Sequence, residues 1–490
     1  MVIIKTPTND ETIPESESEK TERPIKWSSV LLSDVVSRGK RLDANVFDVE
    51  ARQARIKIIA GKFPVTTIGG LDGLTSSYTC NRFKRIWVEK SDIPLFQPSS
   101  ILELNPKPDG YISKVTKTNI QALQVHYGQI LMTCSGTIGS ISCVSNTLNQ
   151  AYFSHDLLRI DCNNLADVGY VYTYLKSKIG NKILLTNSYG AVITHIEAEH
   201  LDTVIIPNAP EKIKVKINDL ICKSYALRDE SNELIDQASG MLLNQLRLPS
   251  FSDFKSNHSR NSQLVNTFNV KLSESVGRLD ASYYLPIVEA IEEHLQRNAK
   301  EVTRVSDVRI SKDVILPGRF KRVYVEDNYG YPLIGGKQIN ELDPSTKKYL
   351  SPTKHKQRVK DQLELQMNTI LITRSGTIGN VAMVPKHWKR WVASEHLIRI
   401  VPSSSEIAGY LYVYLSSDYG RELIKRNTYG SVVDEIDDQQ VSQILIPLLK
   451  NANIQKHIND LALLANQKRY EAYQLEQKAL SMMDDEVIYA

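Results

Sequence analysis

Two short segments with clustered cations offer the clearest binding chemistry in the sequence. Residues 82–85 and 319–322 both read RFKR, so three cations surround one aromatic ring in each. Cations neutralise phosphates, and arginine can also bind guanine through two hydrogen bonds. We predict nucleic-acid contacts at both segments; the alternative is a solvated strand end with a buried phenylalanine. The predicted contact residues are Arg82, Lys84, Arg85, Arg319, Lys321 and Arg322.

The most basic window of the chain runs from residue 347 to residue 360. It contains no acidic residue, and Tyr349 lies among its cations. A solvated loop is the alternative to a binding surface. Phosphate contacts would position the protein whereas contacts to base edges would specify sequence, and a sequence alone does not separate the two. The predicted contacts are Lys347, Lys348, Lys354, Lys356 and Arg358.

Two glycine-rich segments carry hydroxyl groups that could bond a phosphate or a base edge. Residues 135–139 and 375–379 both read SGTIG, in which the glycines allow a tight turn. A purely structural turn between strands is an equal alternative. Two tyrosines that precede glycine could stack on a sugar or base, or else pack in a helix-capping turn. The predicted contacts are Ser135, Thr137, Tyr189, Arg374, Ser375, Thr377 and Tyr429.

Histidine and acidic side chains adjoin at two related places without forming a catalytic set. His155 precedes Asp156 in the first, whereas Glu395 precedes His396 in the second, so the order is reversed. Neither pair has further partners at the spacing of a triad or a metal site. The five cysteines form no CxxC pair, and no GxxxxGK[ST] loop occurs. We therefore assign no catalytic residue, no metal ligand and no cofactor to this chain.

These segments recur because a large part of the chain is repeated. Residues 130–207 align without gaps with residues 370–447, and about a third of the positions are identical. Upstream, the RLDA of residues 41–44 returns at residues 278–281. The repeat has the length of a domain plus its connector. Short β-prone runs punctuated by glycine and proline, followed by helical spacing, predict an α+β globule in each copy.

Each globule is followed by a stretch with the periodicity of a long helix. Apolar residues advance by alternating steps of four and three, the spacing of a helix–helix seam, over about four heptads. We predict that the two helices, each on the order of 45 Å long, pair with each other. The alternative is that each helix lies on its own globule. The predicted interface residues are Ile213, Ile217, Leu220, Leu227, Leu234, Ile454, Ile458, Leu461 and Leu475.

The composition is that of a folded globular chain. Of 490 residues, 41% are hydrophobic and 24% charged, and the mean hydropathy is -0.28, which argues against collagen-like, disordered and membrane-embedded classes. Because no apolar run reaches the roughly 20 residues that span a bilayer, we predict a cytoplasmic protein. The net charge of +4 permits nucleic-acid binding without demonstrating it. Residues 1–26 are predicted to be a disordered acidic tail, and residues 248–270 a linker.

The order of globule, long helix, globule, long helix, with SGTIG and a downstream Tyr-Gly in each globule, resembles the DNA-specificity subunit of Type I restriction-modification systems. The resemblance implies two tandem target-recognition domains, at residues 27–207 and 271–447, that read the two halves of a split DNA sequence. It also implies spacer helices at residues 208–247 and 448–490 that pair as an antiparallel coiled coil.

The resemblance also implies which partner subunits bind this chain. It implies two copies of a DNA adenine methyltransferase subunit docked on the helices, with S-adenosylmethionine bound by those subunits and not by this chain. Motor-nuclease restriction subunits can join such an assembly. The predicted function is thus a non-catalytic subunit that reads a bipartite, asymmetric site in double-stranded DNA. The alternatives are an architectural or regulatory protein that binds two DNA sites without a methyltransferase, and a nuclease with diverged motifs.

Overall fold

The computed structural model describes residues 29–490, with the exception of residues 38–39, 191–192, 259–267, 272, 274–276, 328, 345 and 431–432. The predicted acidic tail, residues 1–26, lies outside the described residues. The described helices are α1 (Leu32–Ser37), α2 (Val49–Ile59), α3 (Ile120–Leu123), α4 (Val168–Lys176), α5 (Lys178–Leu185), α6 (Glu211–Gln245), α7 (Phe251–His258), α8 (Pro286–Asn298), α9 (Pro352–Arg358), α10 (Ser405–Ser416), α11 (Asp418–Arg426), α12 (Asp438–Ser442) and α13 (Ala452–Met482).

Short strands make up the rest of the regular structure. The first half contains β1 (Val65–Thr67), β2 (Thr75–Thr79), β3 (Trp87–Val88), β4 (Pro94–Phe96), β5 (Gly110–Ile112), β6 (Ile130–Thr133), β7 (Ile141–Cys143), β8 (Tyr152–Phe153), β9 (Leu157–Cys162) and β10 (Ile205–Pro207). The second half contains β11 (Glu301–Arg304), β12 (Ser311–Ile315), β13 (Tyr324–Val325), β14 (Tyr331–Ile334), β15 (Lys348–Leu350), β16 (Ile370–Thr373), β17 (Val381–Met383), β18 (Val392–Ala393), β19 (Leu397–Pro402) and β20 (Leu445–Leu448).

Each half of the chain builds the same sheets. The first half has four-stranded sheets in the orders β2-β9-β6-β7 and β3-β5-β4-β8, and β1 pairs with β10. The second half has the orders β12-β19-β16-β17 and β13-β15-β14-β18, and β11 pairs with β20. The repeat in the sequence therefore corresponds to a repeated topology. The predicted mixture of helices and sheets is confirmed.

Each central sheet contains a buried arginine. Arg159 in β9 is fully buried and donates to the carbonyls of Leu157 and Phe153, both at 3.1 Å. Arg399 occupies the equivalent position in β19 and donates to the carbonyl of Ala393. Burial lowers the pKa of Arg399 to about 10. Both guanidinium groups therefore donate to backbone carbonyls inside the sheet.

A glycine and an asparagine join a short helix to a long helix in each half. The Oδ1 atom of Asn218 on α6 accepts from the backbone N–H of Gly169 on α4 at 2.8 Å. Asn459 on α13 makes the same bond to Gly409 on α10, also at 2.8 Å. A Cβ atom on Gly169 would lie 2.6 Å from the Cα of Asn218, so only glycine allows this approach. The sequence INDL occurs at residues 217–220 and again at residues 458–461, so the asparagine of each copy makes the same contact.

The long helices α6 and α13 pack side by side and run in opposite directions. Ser224 Oγ donates to the carbonyl of Ala472 at 2.7 Å, and Arg469 Nε donates to Ser231 Oγ at 3.3 Å. Residue numbers thus rise along one helix as they fall along the other. Small residues at this contact, among them Ala465 and Ala479, are fully buried. Small side chains allow the two backbones to approach closely.

The predicted seam describes only part of the buried surface of α6. Four of the predicted interface residues are buried, namely Ile217, Leu227, Ile458 and Leu461, and five are partly buried, namely Ile213, Leu220, Leu234, Ile454 and Leu475. A second face of α6 packs on the first globule. There the Tyr225 hydroxyl accepts from the N–H of Cys143 at 3.0 Å. The buried carboxylate of Asp229 accepts from the N–H groups of Asn146 and Thr147 at 2.9 and 3.0 Å. The helix packs on its partner helix and on its own globule at once.

Part of the predicted linker is structured. Helix α7 lies within residues 248–270, and its Phe254 is 3% exposed. The Phe254 ring packs against Tyr419 and His294, at centroid distances of 5.3 and 5.9 Å. Among the described residues, no helix combines the length and the apolar character that crossing a bilayer requires.

Candidate nucleic-acid interface

In both halves the arginine of the RLDA segment donates hydrogen bonds to the two residues that precede the Tyr-Gly pair. Arg41 donates to the carbonyls of residues 187 and 188 at 3.2 and 2.6 Å. Arg278 makes the equivalent bonds to the carbonyls of residues 427 and 428 at 3.3 and 2.5 Å. Asp43 and Asp280 each form an ion pair with the arginine two residues before them. Two repeated segments that are far apart in sequence therefore form one frame in space.

The SGTIG segments are tight turns at the ends of β6 and β16. Gly136 and Gly376 both have φ +74°, in the left-handed region that favours glycine. The Thr133 hydroxyl donates to the carbonyl of Thr137 at 2.7 Å, and Thr373 makes the equivalent bond to Thr377 at 2.6 Å. Each turn is thus stabilised by a hydrogen bond to its own backbone from the threonine two residues before it. The predicted residues Thr137 and Thr377 are exposed, whereas Ser135 and Ser375 are partly buried.

The Tyr-Gly segments pack beside these turns. Tyr189 and His195 exchange backbone hydrogen bonds at 3.0 and 2.8 Å, and the N–H of Ile196 donates to the carbonyl of Cys134 at 2.9 Å. In the second half Tyr429 pairs in the same way with Glu435. RLDA, SGTIG and Tyr-Gly segments therefore come together in each half. The structure brings three of the repeated sequence signals into one place.

In the second half two glutamates bind the predicted arginines. Glu435 accepts from Arg319 at 3.1 Å and from Arg374 at 2.7 Å, so the RFKR segment reaches the SGTIG turn. Glu395 accepts from Arg322 at 2.6 Å. The side chain of Arg319 is nevertheless 72% exposed and that of Arg322 26% exposed, so both remain accessible. The glutamates orient these guanidinium groups at the surface.

The basic window packs on the RFKR segment. The Arg358 guanidinium lies 4.9 Å from the Phe320 ring centroid and donates to the carbonyl of Gly318 at 3.2 Å. The Nζ of Lys348 lies 5.2 Å from the centroid of the exposed Tyr324 ring. The predicted cations that point to solvent in this half are Arg319, Lys321, Lys348, Lys354 and Lys356. We call these five residues the second basic surface.

Lys347 does not belong to this surface. Its ammonium group is paired with Asp343 and lies 4.8 Å from the centroid of Trp391. Asp343 in turn accepts from Gln477 on α13 at 3.2 Å. Lys347 directly precedes β15 and is partly buried, whereas Lys348 begins the strand and is exposed. The structure therefore separates one predicted contact from its neighbour.

The first half uses the same scaffold with different charges. His155 stands where the second half has Glu395, and His195 stands where it has Glu435. Arg82 and Lys84 are exposed and form no ion pair with any described residue. The Phe83 ring lies 5.6 Å from His155 in an edge-on contact. Burial and the nearby Arg85 and Arg82 charges lower the pKa of His155 although Asp156 opposes them, so His155 is largely neutral at neutral pH.

The two predicted tyrosines flank the turns with their rings partly in solvent. Tyr189 is 38% exposed and Tyr429 is 40% exposed. The Tyr189 hydroxyl donates to Glu197, and this bond raises the pKa of Tyr189. The Tyr189 ring lies 5.6 Å from the His200 ring. Aromatic rings that remain partly open to solvent suit stacking on a sugar or base.

Sequence reasoning missed one aromatic residue at this surface. Trp87 is 48% exposed and lies two residues after the first RFKR segment, so its position near the cations in the sequence was a usable signal. Gly110 on the neighbouring β5 leaves room for the indole, since a Cβ there would lie 3.0 Å from the ring. The roles of Glu395 and Glu435 had no comparable signal. These acids lie 73 and 116 residues from the arginines that they bind.

The adjoining glutamate and histidine of the second half each contact another side chain. Glu395, which adjoins His396, is engaged by Arg322. The Ser375 hydroxyl lies 2.9 Å from His396 Nδ1, which places this histidine in the turn. Within the described parts of the chain, no group of three or more His, Cys, Asp or Glu residues is arranged to hold a metal ion.

Comparison with known proteins gives a match to one family. Residues 316–461 match the sequence model of the Type I restriction modification DNA specificity domain. No curated protein matches the chain. The structure of the Type I restriction-modification system S subunit from M. genitalium is 13% identical, with 87% of this chain and 95% of that chain covered and a TM-score of 0.30.

Two further solved structures are similar at the same level. The HsdS subunit from Thermoanaerobacter tengcongensis is 12% identical, with 85% and 97% of the two chains covered and a TM-score of 0.26. A structure described as the basis of complex assembly and conformational transition of the type I R-M system is 14% identical, with 86% and 98% covered and a TM-score of 0.26. The matched range contains the second SGTIG turn, the basic window and Tyr429. The family-model match confirms the predicted family over this range, and this chain carries the DNA specificity domain of Type I restriction-modification systems at residues 316–461.

Proposed function

We propose that this chain is the specificity subunit of a Type I system, that it reads a bipartite, asymmetric site in double-stranded DNA, and that it positions adenine methyltransferase subunits there. Residues 27–207 and 271–447 are the two target-recognition domains of this proposal. The observation that carries it is the repeated frame of RLDA, SGTIG and Tyr-Gly segments, which presents a tyrosine in both halves and binds an RFKR arginine in the second half. Cations position a protein on phosphates, and side chains among them can reach base edges.

Differences between the halves support two different half-sites. The backbone of the frame is shared, but Arg374, Glu395 and Glu435 of the second half correspond to Cys134, His155 and His195 of the first. Hydrogen-bond donors and acceptors that reach base edges decide which base pair is read. Two surfaces with one backbone and unlike polar groups would accept unlike sequences. The site would therefore lack two-fold symmetry in its bases.

The two long helices would set the distance between the half-sites. Helix α6 has 35 residues, which corresponds to about 50 Å at 1.5 Å per residue. Half-sites on one face of DNA repeat every 34–36 Å or multiples of that length. Helices α6 and α13 with their pairing would form the spacer, as an antiparallel coiled coil. The spacer would also present the docking surface for two methyltransferase subunits, which would bind S-adenosylmethionine themselves, and restriction subunits would join through that complex.

Modification sequencing of the host's DNA tests this proposal directly. Long-read sequencing of strains with and without the gene is expected to show one split motif with methylated adenine in each half, present only when the gene is intact. Replacing residues 27–207 with the equivalent region of another specificity subunit is expected to change one half of the motif and leave the other. Unchanged methylation in a strain that expresses the chain would contradict the proposal. It would favour a two-site DNA-binding protein that acts without a methyltransferase.

A further inference from the structure

Two cavities related by the internal repeat lie where the globules meet the long helices. The first has a volume of about 50 Å³ and is lined by residues that include Tyr172, Lys176, Arg228 and Glu476. The second has a volume of about 250 Å³ and is lined at the equivalent positions by Tyr412, Ser416, Arg469 and Ile235. Two equivalent cavities in one chain allow a direct comparison of what fills each.

A carboxylate fills the first cavity. Glu476 is fully buried, and its carboxylate lies 2.8 Å from Lys176 Nζ and 2.9 Å from Arg228 Nη2. The Tyr172 hydroxyl donates to the same carboxylate. Although burial opposes ionisation, the Lys176 and Arg228 charges lower the pKa of Glu476 to about 2. The buried cation Arg228 is therefore paired with a carboxylate, and such pairing offsets the cost of burying a charge.

The second cavity has the cation without the carboxylate. Arg469 is 6% exposed and occupies the position of Arg228, but Ile235 stands where the repeat would require the glutamate. Its only hydrogen bonds to described residues are to Ser231 Oγ at 3.3 Å and to the Tyr412 hydroxyl at 3.5 Å. No described carboxylate lies within 4 Å of its guanidinium.

A second arginine lines the same cavity. The Nε atom of Arg421 is buried and has no hydrogen-bond partner among the described residues. Lys107 adds a third cation at the rim, and the acidic residues that line the cavity are Glu103, Asp236 and Glu341. Burial raises the pKa of both glutamates to about 7, so their negative charge is incomplete at neutral pH. Arg469 is buried and Arg421 is partly buried, and neither has an ion-pair partner among the described residues. The buried part of this positive charge would be costly unless an anion reaches it.

We propose that this second cavity binds a small anion, an organic carboxylate or a phosphate, whose oxygens accept from Arg469 and Arg421. The anion would take the place that the Glu476 carboxylate takes beside Arg228. Arginine presents donors in a planar fork that fits either group. The site lies between the second globule and the long helices, so an anion bound there would tie the globule to the spacer.

Anion titration of the purified full chain tests the proposal. At constant ionic strength with chloride as the reference, inorganic phosphate or acetate is expected to raise the Tm with increasing concentration, as a ligand of the native state does. A response to phosphate alone identifies a phosphate site, and a response to acetate identifies a carboxylate site. No response to either anion beyond that of chloride would overturn the proposal.

Two matched variants locate the binding. Ile235→Glu supplies the carboxylate that the repeat lacks and is expected to weaken anion binding at least tenfold, whereas the isosteric Ile235→Gln keeps it within about threefold. Arg469→Met is expected to abolish binding, with circular dichroism as the check on folding. Equal binding by both Ile235 variants would overturn the proposal even if Arg469→Met failed to fold. The titration is carried out in the absence of DNA. Its result is therefore independent of the proposed recognition of DNA.

Discussion

Glu103 and Glu341 face each other where the two halves of the chain meet. They form an antiparallel backbone bridge, and the N–H of the neighbouring Leu104 donates to the carbonyl of Asn340 at 2.8 Å. Burial raises the pKa of each carboxyl to about 7, and the charge of Glu103 further raises that of Glu341. Asp109 raises and Arg421 lowers the pKa of Glu103. Asp343 raises the pKa of Glu341, whereas the cations Lys176 and Lys347 lower it.

Glu103→Gln is expected to stabilise the chain at alkaline pH. A carboxyl whose pKa is raised by folding costs stability as the pH rises from its unfolded value, 4.5, through about 7. The glutamine removes that cost, so the free energy of unfolding of the variant relative to the parent should rise by roughly 1–3 kcal/mol between pH 5 and pH 8. Urea unfolding at the two pH values measures the difference.

The matched control for this prediction is Glu233→Gln. Glu233 is exposed on α6 and should have equal effects at pH 5 and pH 8. Glu341→Gln should behave as Glu103→Gln does, and the two gains should not add because each carboxyl raises the cost of the other. A Glu103→Gln variant that is less stable than the parent at pH 8 would show that the carboxylate is needed at this junction.

Glu476→Ala is expected to destabilise the pairing of the long helices severely. Its carboxylate is buried between Lys176 and Arg228, and removing one partner of a buried ion pair costs about 3–5 kcal/mol. The exposed ion pair between Lys468 and Glu230 joins the same helices at 2.5 Å, so Glu230→Ala should cost less than about 1 kcal/mol. Denaturant midpoints at pH 7 compare the two variants.

The pH dependence of the Glu476 contribution is opposite to that of Glu103. Folding lowers the pKa of Glu476 from 4.5 to about 2, so its stabilising effect is present above the unfolded value and is lost as the pH falls through about 2. The difference between parent and Glu476→Ala should therefore shrink between pH 5 and pH 2. A constant difference over that range would contradict the role of the ionised carboxylate.

Much of the architecture could be predicted from the repeat. The same order of RLDA, SGTIG and Tyr-Gly segments in both copies indicated two equivalent globules, and the sheets have equivalent orders. The contacts between these segments could not be predicted. Arg41 reaches carbonyls 146 and 147 residues away, and backbone carbonyls carry no signal in the side-chain sequence. Local spacing predicts local elements, whereas tertiary contact decides which of them meet.

The periodicity of the long helices predicted one buried face and missed the other. An apolar stripe detects the seam because the seam residues are mostly hydrophobic. The second face of α6 buries Tyr225, Asp229 and Asn232 against the first globule through hydrogen bonds. Polar residues at buried positions look like solvent-exposed positions in a hydrophobicity pattern. For the same reason, the hydrophobicity pattern gave no indication that Glu476 is buried.

Gly169→Ala is expected to weaken the contact between α4 and α6. A Cβ there would lie 2.6 Å from the Cα of Asn218, so the helices must separate or shift. The expected cost is about 1–3 kcal/mol, as for overpacking of a tight contact. Gly240→Ala is the control, because Gly240 lies in α6 with open space around it and should gain about 0.5–1 kcal/mol. Equal effects of the two substitutions on the Tm would contradict this account.

Adjacent lysines of the basic window should differ in their effect on DNA binding. Lys348 points to solvent over Tyr324, so Lys348→Ala is expected to weaken binding to a duplex that carries the methylated motif and to lower its salt dependence by about one counterion. Lys321→Ala should act alike, because this exposed lysine belongs to the same surface. Lys347 is paired with Asp343, so Lys347→Ala should leave the salt slope unchanged. Fluorescence anisotropy between 50 and 200 mM salt measures how the binding constant of each variant depends on salt. If Lys347→Ala reduced this dependence as much as Lys348→Ala does, the assignment of Lys348 but not Lys347 to the second basic surface would be wrong.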